Sequence, residues 1–163
     1  MAYAIDGKIG VNLTENDATA TALGISPGTE VTADNGKWIR VIAGAALTTG
    51  DAVIVAASGT ASLLTNALAR AGTGRIAWAQ NVVGSGNFGW AQMTGPISIR
   101  ASASCLPISA LYTSDTAGVL DDASASLSQI QIEGVTVNAT NGAGNTATAG
   151  HVMGYATVVI PAT

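Results

Sequence analysis

Short runs that alternate apolar and polar residues recur along most of this chain: EVTA, KWIRVIA, DAVIVAA, TASLL, RIAWAQNVV, FGWAQM, ISIRASA, ALYT, GVL, SQIQIEGVTV and HVMGYATVVI. A period of two marks strands with one buried face. Between the runs stand DNG, TTGD, ASG, GSGN, TGP, SDTAG and NGAGN, each rich in residues that favour turns. The pattern predicts an all-β, single-domain protein: an antiparallel β-barrel or β-sandwich with short strands and glycine-rich turns. Residues 1–28 show weak periodicity and close on the turn signal Ser26 to Gly28. They are expected to form an extended N-terminal arm, with the β domain over 29–163.

Several local features sharpen this picture. Asp34, Asn35 and Gly36 lie between two strand runs, where Asn-Gly supplies the positive φ values of a type I′ hairpin turn. Ile130 and Ile132 occupy even positions but Val135 and Val137 odd ones, so the inward parity changes across Gly134 and a β-bulge is expected there. The segment TNALARAG, with Thr65 as a cap and Gly72 as a stop, fits a short helix or a loop equally well. Residues 138–150 are small and polar and are expected to form a mobile loop, with nothing in their composition that requires a contact role.

A G-x-G-x-x-G string runs from Gly84 to Gly89. A dinucleotide site needs a helix after such glycines, because the free N–H groups of a helix start hold the phosphates. Here the even spacing of Ile76, Trp78 and Val82 before the loop, and of Phe88 and Trp90 after it, predicts a strand on each side. GSGNFG is therefore expected to be a hairpin connection with an exposed or interfacial tip at Ser85 to Asn87.

Composition narrows the function classes. The 163 residues suffice for one domain with its own core, and no apolar run reaches the roughly 18 residues of a membrane helix. The first residues, MAYAIDGKIG, lack the basic start and apolar core of a secretory signal, so a cytoplasmic product is expected. Asn12 to Thr14 and Asn138 to Thr140 match the glycosylation pattern, and on that expectation are chance matches. All six Lys and Arg residues lie in the first hundred positions, where six acids balance them. The remainder carries Asp115, Asp121, Asp122 and Glu133 with no base, so the net charge of −4 belongs to it. No basic patch for nucleic acid is expected.

Candidate chemistry is sparse. Cys105 is the only cysteine and His151 the only histidine, so a nucleophile and base would have to be that pair, and neither sits in a recognisable signature. Asp115, Asp121 and Asp122 could gather oxygens around calcium, but without the alternating acids of a calcium loop. Catalytic, cofactor and metal residues are therefore all expected to be none, and an enzyme is not expected. Trp38, Trp78, Phe88 and Trp90 are read as the bulky core or interface members, core being favoured, of a chain otherwise built of small side chains.

From Gly50 to Ile160 the order of segments resembles the head decoration (cement) proteins of tailed bacteriophages: TGDAVIVAASGTA, GRIAWAQ with its glycine loop and GWAQMTGPISI, ALYTSDTAGVLDD, and the closing GYATVVI. The resemblance implies a β domain on the capsid exterior, commonly a trimer, that locks neighbouring major capsid protein subunits after shell expansion. It brings no catalytic residues. The expectation is thus a virion structural protein made in the host cytoplasm, a homo-oligomer whose partner is the major capsid protein, with no nucleic acid, membrane or small-molecule partner. The alternative is a phage fibre or spike module that binds a carbohydrate receptor. Exposed tryptophans on one face would favour that reading, since sugar rings stack on aromatic rings, and Trp38, Trp78 and Trp90 are the residues that test it.

Overall fold

A computed structural model describes residues 12–18, 25–123, 128–142 and 144–160. The fold is all-β, and its strands form two connected systems. The first contains β1 (Glu30–Ala33), β2 (Gly36–Ala43), β3 (Ala52–Val55), β4 (Thr60–Leu63), β5 (Arg75–Ala79) and β6 (Phe88–Gln92) in the order β1-β2-β4-β3-β5-β6. Because β6 also pairs with β2, the sheet rolls shut and only β1 stands outside the ring. The second system is a closed barrel of β7 (Gly95–Ala101), β8 (Leu111–Thr113), β9 (Leu120–Asp121), β10 (Gln131–Val137) and β11 (Thr146–Val159), in the order β10-β11-β7-β9-β8. All pairings are antiparallel except β2–β4 and β7–β9.

Rolling the first sheet explains the alanine-rich composition. Ile39, Val41, Ala43, Val53, Val55, Ala61, Ala77, Ala79, Ala91 and Met93 fill one buried cluster with Leu47 and Val83. A ring this small leaves little interior, so alternate positions must be small. The other face of the same strands is buried too. Ala52, Ile54, Ile76 and Trp78 join a continuous core with barrel residues such as Ile97, Ile99, Leu111, Leu120 and Ile132. Trp38 and Trp90 face outward elsewhere and are covered by Leu13. Strands β3 and β5 therefore bury almost every residue, where a half-buried alternation was expected.

The lead-in is fastened to this scaffold where it is described. Thr14 donates from its backbone N and its hydroxyl to Asn12 Oδ1 (3.1 and 2.7 Å), closing a turn that aims Leu13 and Glu15 at the roll. Asp17 then bridges Phe88 in antiparallel fashion, and Asn81 Nδ2 donates to the Leu13 carbonyl. Glu15 and Arg40 form a buried ion pair at 2.9 Å. Residues 1–11 and 19–24 of the expected arm lie outside the described residues.

The hairpin at Asp34 to Gly36 forms with Ala33 opposite Gly36, but Asp34 and Asn35 keep negative φ and only Gly36 is positive, at 134°. The turn is thus not type I′. The constraint lies across the turn: a Cβ on Gly36 would sit 1.9 Å from the Thr94 carbonyl oxygen, and one on Gly95 2.1 Å from that of Asn35. The two turns interlock through their backbones. At Gly134 the register slips as expected, with φ of 80°. Glu133 faces Thr157 and Val135 faces Val152, so the extra residues lie on β11, at Met153 to Ala156, and not on β10. The segment Asn66–Ala71 is helical, α1, with Thr65 Oγ1 accepting from Leu68 N and Gly72 as its cap.

Candidate functional site

The glycine string Gly84 to Gly89 leads into β6, so no helix start faces it. It joins the antiparallel neighbours β5 and β6, as a hairpin connection should. Strand β5 ends earlier than its apolar pattern suggested. Val82 is exposed, and Val83 instead turns inward and bridges Leu47. Gly84 N and Asn87 Nδ2 both donate to Asn16 Oδ1 (3.1 and 2.8 Å), and Gly86 N donates to the Ala43 carbonyl. These bonds make the loop an anchor for the lead-in and leave Ser85 and Gly86 at the exposed tip.

Cys105 is fully buried, and burial, with Asp122 and Asp121 nearby, pushes its thiol up to about 11. Such a thiol is protonated at neutral pH and is a poor nucleophile. Labelling by a water-soluble thiol reagent at pH 8 is expected to be slow in the native protein and fast after denaturation; equal rates would refute this. The same shift has a stability consequence. The folded state holds its proton above the ordinary thiol range, so this contribution is complete below about pH 9 and is lost as the pH rises toward 11. His151 lies on β11 between Thr136 of β10 and Pro96 of β7.

Among the described residues no three His, Cys, Asp or Glu side chains converge as a metal site. Asp121 Oδ1 accepts from Ala123 N at 3.2 Å, and Asp122 Oδ2 from Leu106 N at 2.9 Å. These are turn-fixing roles. The tryptophans are 4%, 0% and 1% exposed at Trp38, Trp78 and Trp90, so none offers a ring face to a sugar. A shallow hollow near Trp38 is rich in amides, but Gln92 Nε2 donates to the carbonyls of Asn35, Thr94 and Pro96, and both ends of Gln80 bond Ser98. The amides of Gln80 and Gln92 are committed within the fold.

One structural residue escaped the sequence reading. Asn141, in the stretch expected to be a mobile loop, is buried, and its Nδ2 donates to the carbonyls of Ala101, Ser102 and Gly144. It ties the end of β7 to the approach of β11, whose first residues, Thr146 to Gly150, are themselves strand. A lone asparagine among small polar residues carries no periodic signal, so only the tertiary contacts reveal it.

What remains is surface. A cleft of about 500 Å³ opens beside the C-terminal half of β11, lined by Ile76, Tyr155, Ala156, Val158 and Ile160, with Glu30 and Arg75 at its rim. Beyond Val152, where its β7 pairing ends, this strand loops out over Met153 to Ala156 and pairs with β10 alone at Thr157–Val159. A free strand edge beside an apolar cleft is a natural place for another chain. Lys37 Nζ donates to Tyr155 Oη at 2.8 Å and lies 5.2 Å from the ring centre, steadying the edge of the bulge. Elsewhere the loop between β7 and β8 exposes Leu106 and Ile108. No helix among the described residues is long and apolar enough to cross a membrane. No protein-family model matches the chain, and no curated protein matches it either.

Proposed function

We propose that this protein is a virion structural subunit, an outer capsid decoration (cement) protein that binds and stabilises the major capsid protein lattice without catalysis. The observation that carries the reading is the distribution of its exposed apolar side chains. Val82, Leu106, Ile108, Met153, Tyr155 and Ile160 stand out from several separate loops and edges of the scaffold. A subunit that bridges neighbours needs several modest contact points on a rigid body, and a lattice multiplies weak contacts into firm attachment. The segment order that resembles the cement proteins supports the same reading. All three tryptophans are buried, which weakens the alternative of a carbohydrate-binding fibre, since exposed ring faces would have favoured it.

The test is addition of the purified protein to phage shells before and after expansion. Cosedimentation with expanded shells, and a higher temperature for shell disruption when it is bound, are the expected results. Failure to bind either form overturns the proposal.

A further inference from the structure

We propose that Asn35 is a site of spontaneous backbone modification, deamidation through a succinimide to aspartate and isoaspartate, and that the fold selects it over the chain's other Asn-Gly step, Asn141 and Gly142. The Gly36 nitrogen, giving up its proton, bonds to Asn35 Cγ, and the Cγ–Nδ2 bond breaks to release ammonia, which carries that proton away. The attack is intramolecular, and the glycine brings no side chain to crowd it. Water then opens the cyclic imide. Cleavage of the new bond between nitrogen and Cγ leaves aspartate. Cleavage of the original peptide bond leaves isoaspartate, whose main chain runs through Cβ and Cγ. No oxidant or reductant takes part, and the reaction is independent of the capsid reading because it needs no partner.

Burial and hydrogen bonding separate the two steps. Asn35 is exposed at the tip of the β1–β2 hairpin and lines the shallow hollow near Trp38, so water reaches it. Its Oδ1 accepts from Trp38 Nε1 at 3.0 Å, which leaves the departing Nδ2 free of that bond. Asn141 is 5% exposed. Its Nδ2 donates to the carbonyls of Ala101, Ser102 and Gly144 at 2.6, 2.9 and 3.1 Å, and its Oδ1 accepts from Thr146 Oγ1 at 2.8 Å. Turning that amide toward the Gly142 nitrogen requires local opening of a buried network, whereas Asn35 gives up a single bond at the surface.

The fold also sets what the product does. The Asn35 carbonyl accepts from Gln92 Nε2 at 2.8 Å, and a Cβ on Gly95 would lie 2.1 Å from its oxygen. The same Gln92 nitrogen donates to the carbonyls of Thr94 and Pro96, so one amide holds the hairpin tip against the entry to β7. Aspartate keeps this backbone, and its carboxylate can still accept from Trp38. Isoaspartate inserts a methylene into the main chain at the point of closest approach and displaces the carbonyl. The interlock between the roll and the first barrel strand therefore opens in the isoaspartyl form and not in the aspartyl form.

The test ages the full native chain in mildly alkaline buffer and follows the two Asn-Gly peptides by mass spectrometry. Asn35 is expected to deamidate about tenfold or more faster than Asn141 in the native protein. In urea the two should react at similar rates, because the fold no longer tells them apart. Asn35→Asp, which has no amide to lose, is expected to melt with the parent. The isoaspartyl form, separated from aged protein by ion exchange and identified by isoaspartyl methyltransferase labelling, is expected to melt about 2 °C or more lower. Native Asn35 that reacts no faster than Asn141, or a difference that persists in urea, would overturn the selection by the fold. An isoaspartyl form that melts with the parent, or an Asn35→Asp variant that melts as low as the isoaspartyl form, would overturn the backbone consequence.

Discussion

Replacing Trp78 with alanine is expected to lower the unfolding free energy by about 3–5 kcal/mol, the range for removing a large buried aromatic side chain. Trp78 is fully buried on the outward face of β5, paired with Ala52 on one side and Gln92 on the other. It belongs to the same core as Ile97, Ile99, Leu111, Leu120 and Ile132 of the barrel. The indole therefore fills the junction between the roll and the barrel, and neither system can close over the cavity without moving the other. Domains of this kind are stable by about 5–15 kcal/mol in all, so the loss is a large share of the total. Trp78→Phe separates packing from polarity. Trp78 Nε1 is buried without a hydrogen-bond partner, so phenylalanine removes an unsatisfied donor while keeping most of the volume. Urea unfolding should show Trp78→Phe losing well under half of what Trp78→Ala loses. Equal losses would mean that the indole N–H contributes to the fold.

The class of fold was legible because turn residues punctuate strands at short intervals and need no tertiary information. Closure was not. A single alternating run such as RIAWA looks half-buried, and nothing in it states that the partner of β6 is β2 as well as β5. The alternation is masked because each face of β5 is covered by a different body: Ala77 and Ala79 line the roll, while Ile76 and Trp78 meet the barrel. The bulge at Gly134 was readable from the shift in parity of the isoleucines and valines, but that parity reports only β10. It carries no count of how many residues β11 loops out opposite. For the site, the sequence exposed what was missing from it, one histidine and one cysteine without a shared signature. The surface features used above depend on relative solvent exposure, which has no pattern in one dimension.

Glu15→Ala is the other substitution expected to cost about 3–5 kcal/mol, because it leaves a buried charge without its partner. The Arg40 side chain is 0% exposed and that of Glu15 7%, and Arg40 Nη2 meets Glu15 Oε1 at 2.9 Å. Arg40 Nε and Nη1 have no hydrogen-bond partner, so the carboxylate is the main compensation for the guanidinium. Phe88 and Trp90 add only ring faces, with centres 5.6 and 5.9 Å from the guanidinium carbon. The other oxygen of Glu15 accepts from Trp90 Nε1 at 3.2 Å, so truncation strands an indole N–H as well. The reverse change, Arg40→Met, is expected to cost less. It fills the site with apolar volume, and Glu15, carried on a short segment of the lead-in, can turn toward water. The double variant Glu15→Gln with Arg40→Met should recover most of the loss, since an apolar replacement of a buried pair is often neutral or better. A double-mutant cycle by urea unfolding then isolates the coupling. Because the pair is buried, that coupling should change little between low and high salt. A coupling that disappears in salt, or a cost for Glu15→Ala below about 1 kcal/mol, the value of an exposed pair, would show that residues 12–18 leave the roll in solution and that Arg40 is then reached by water.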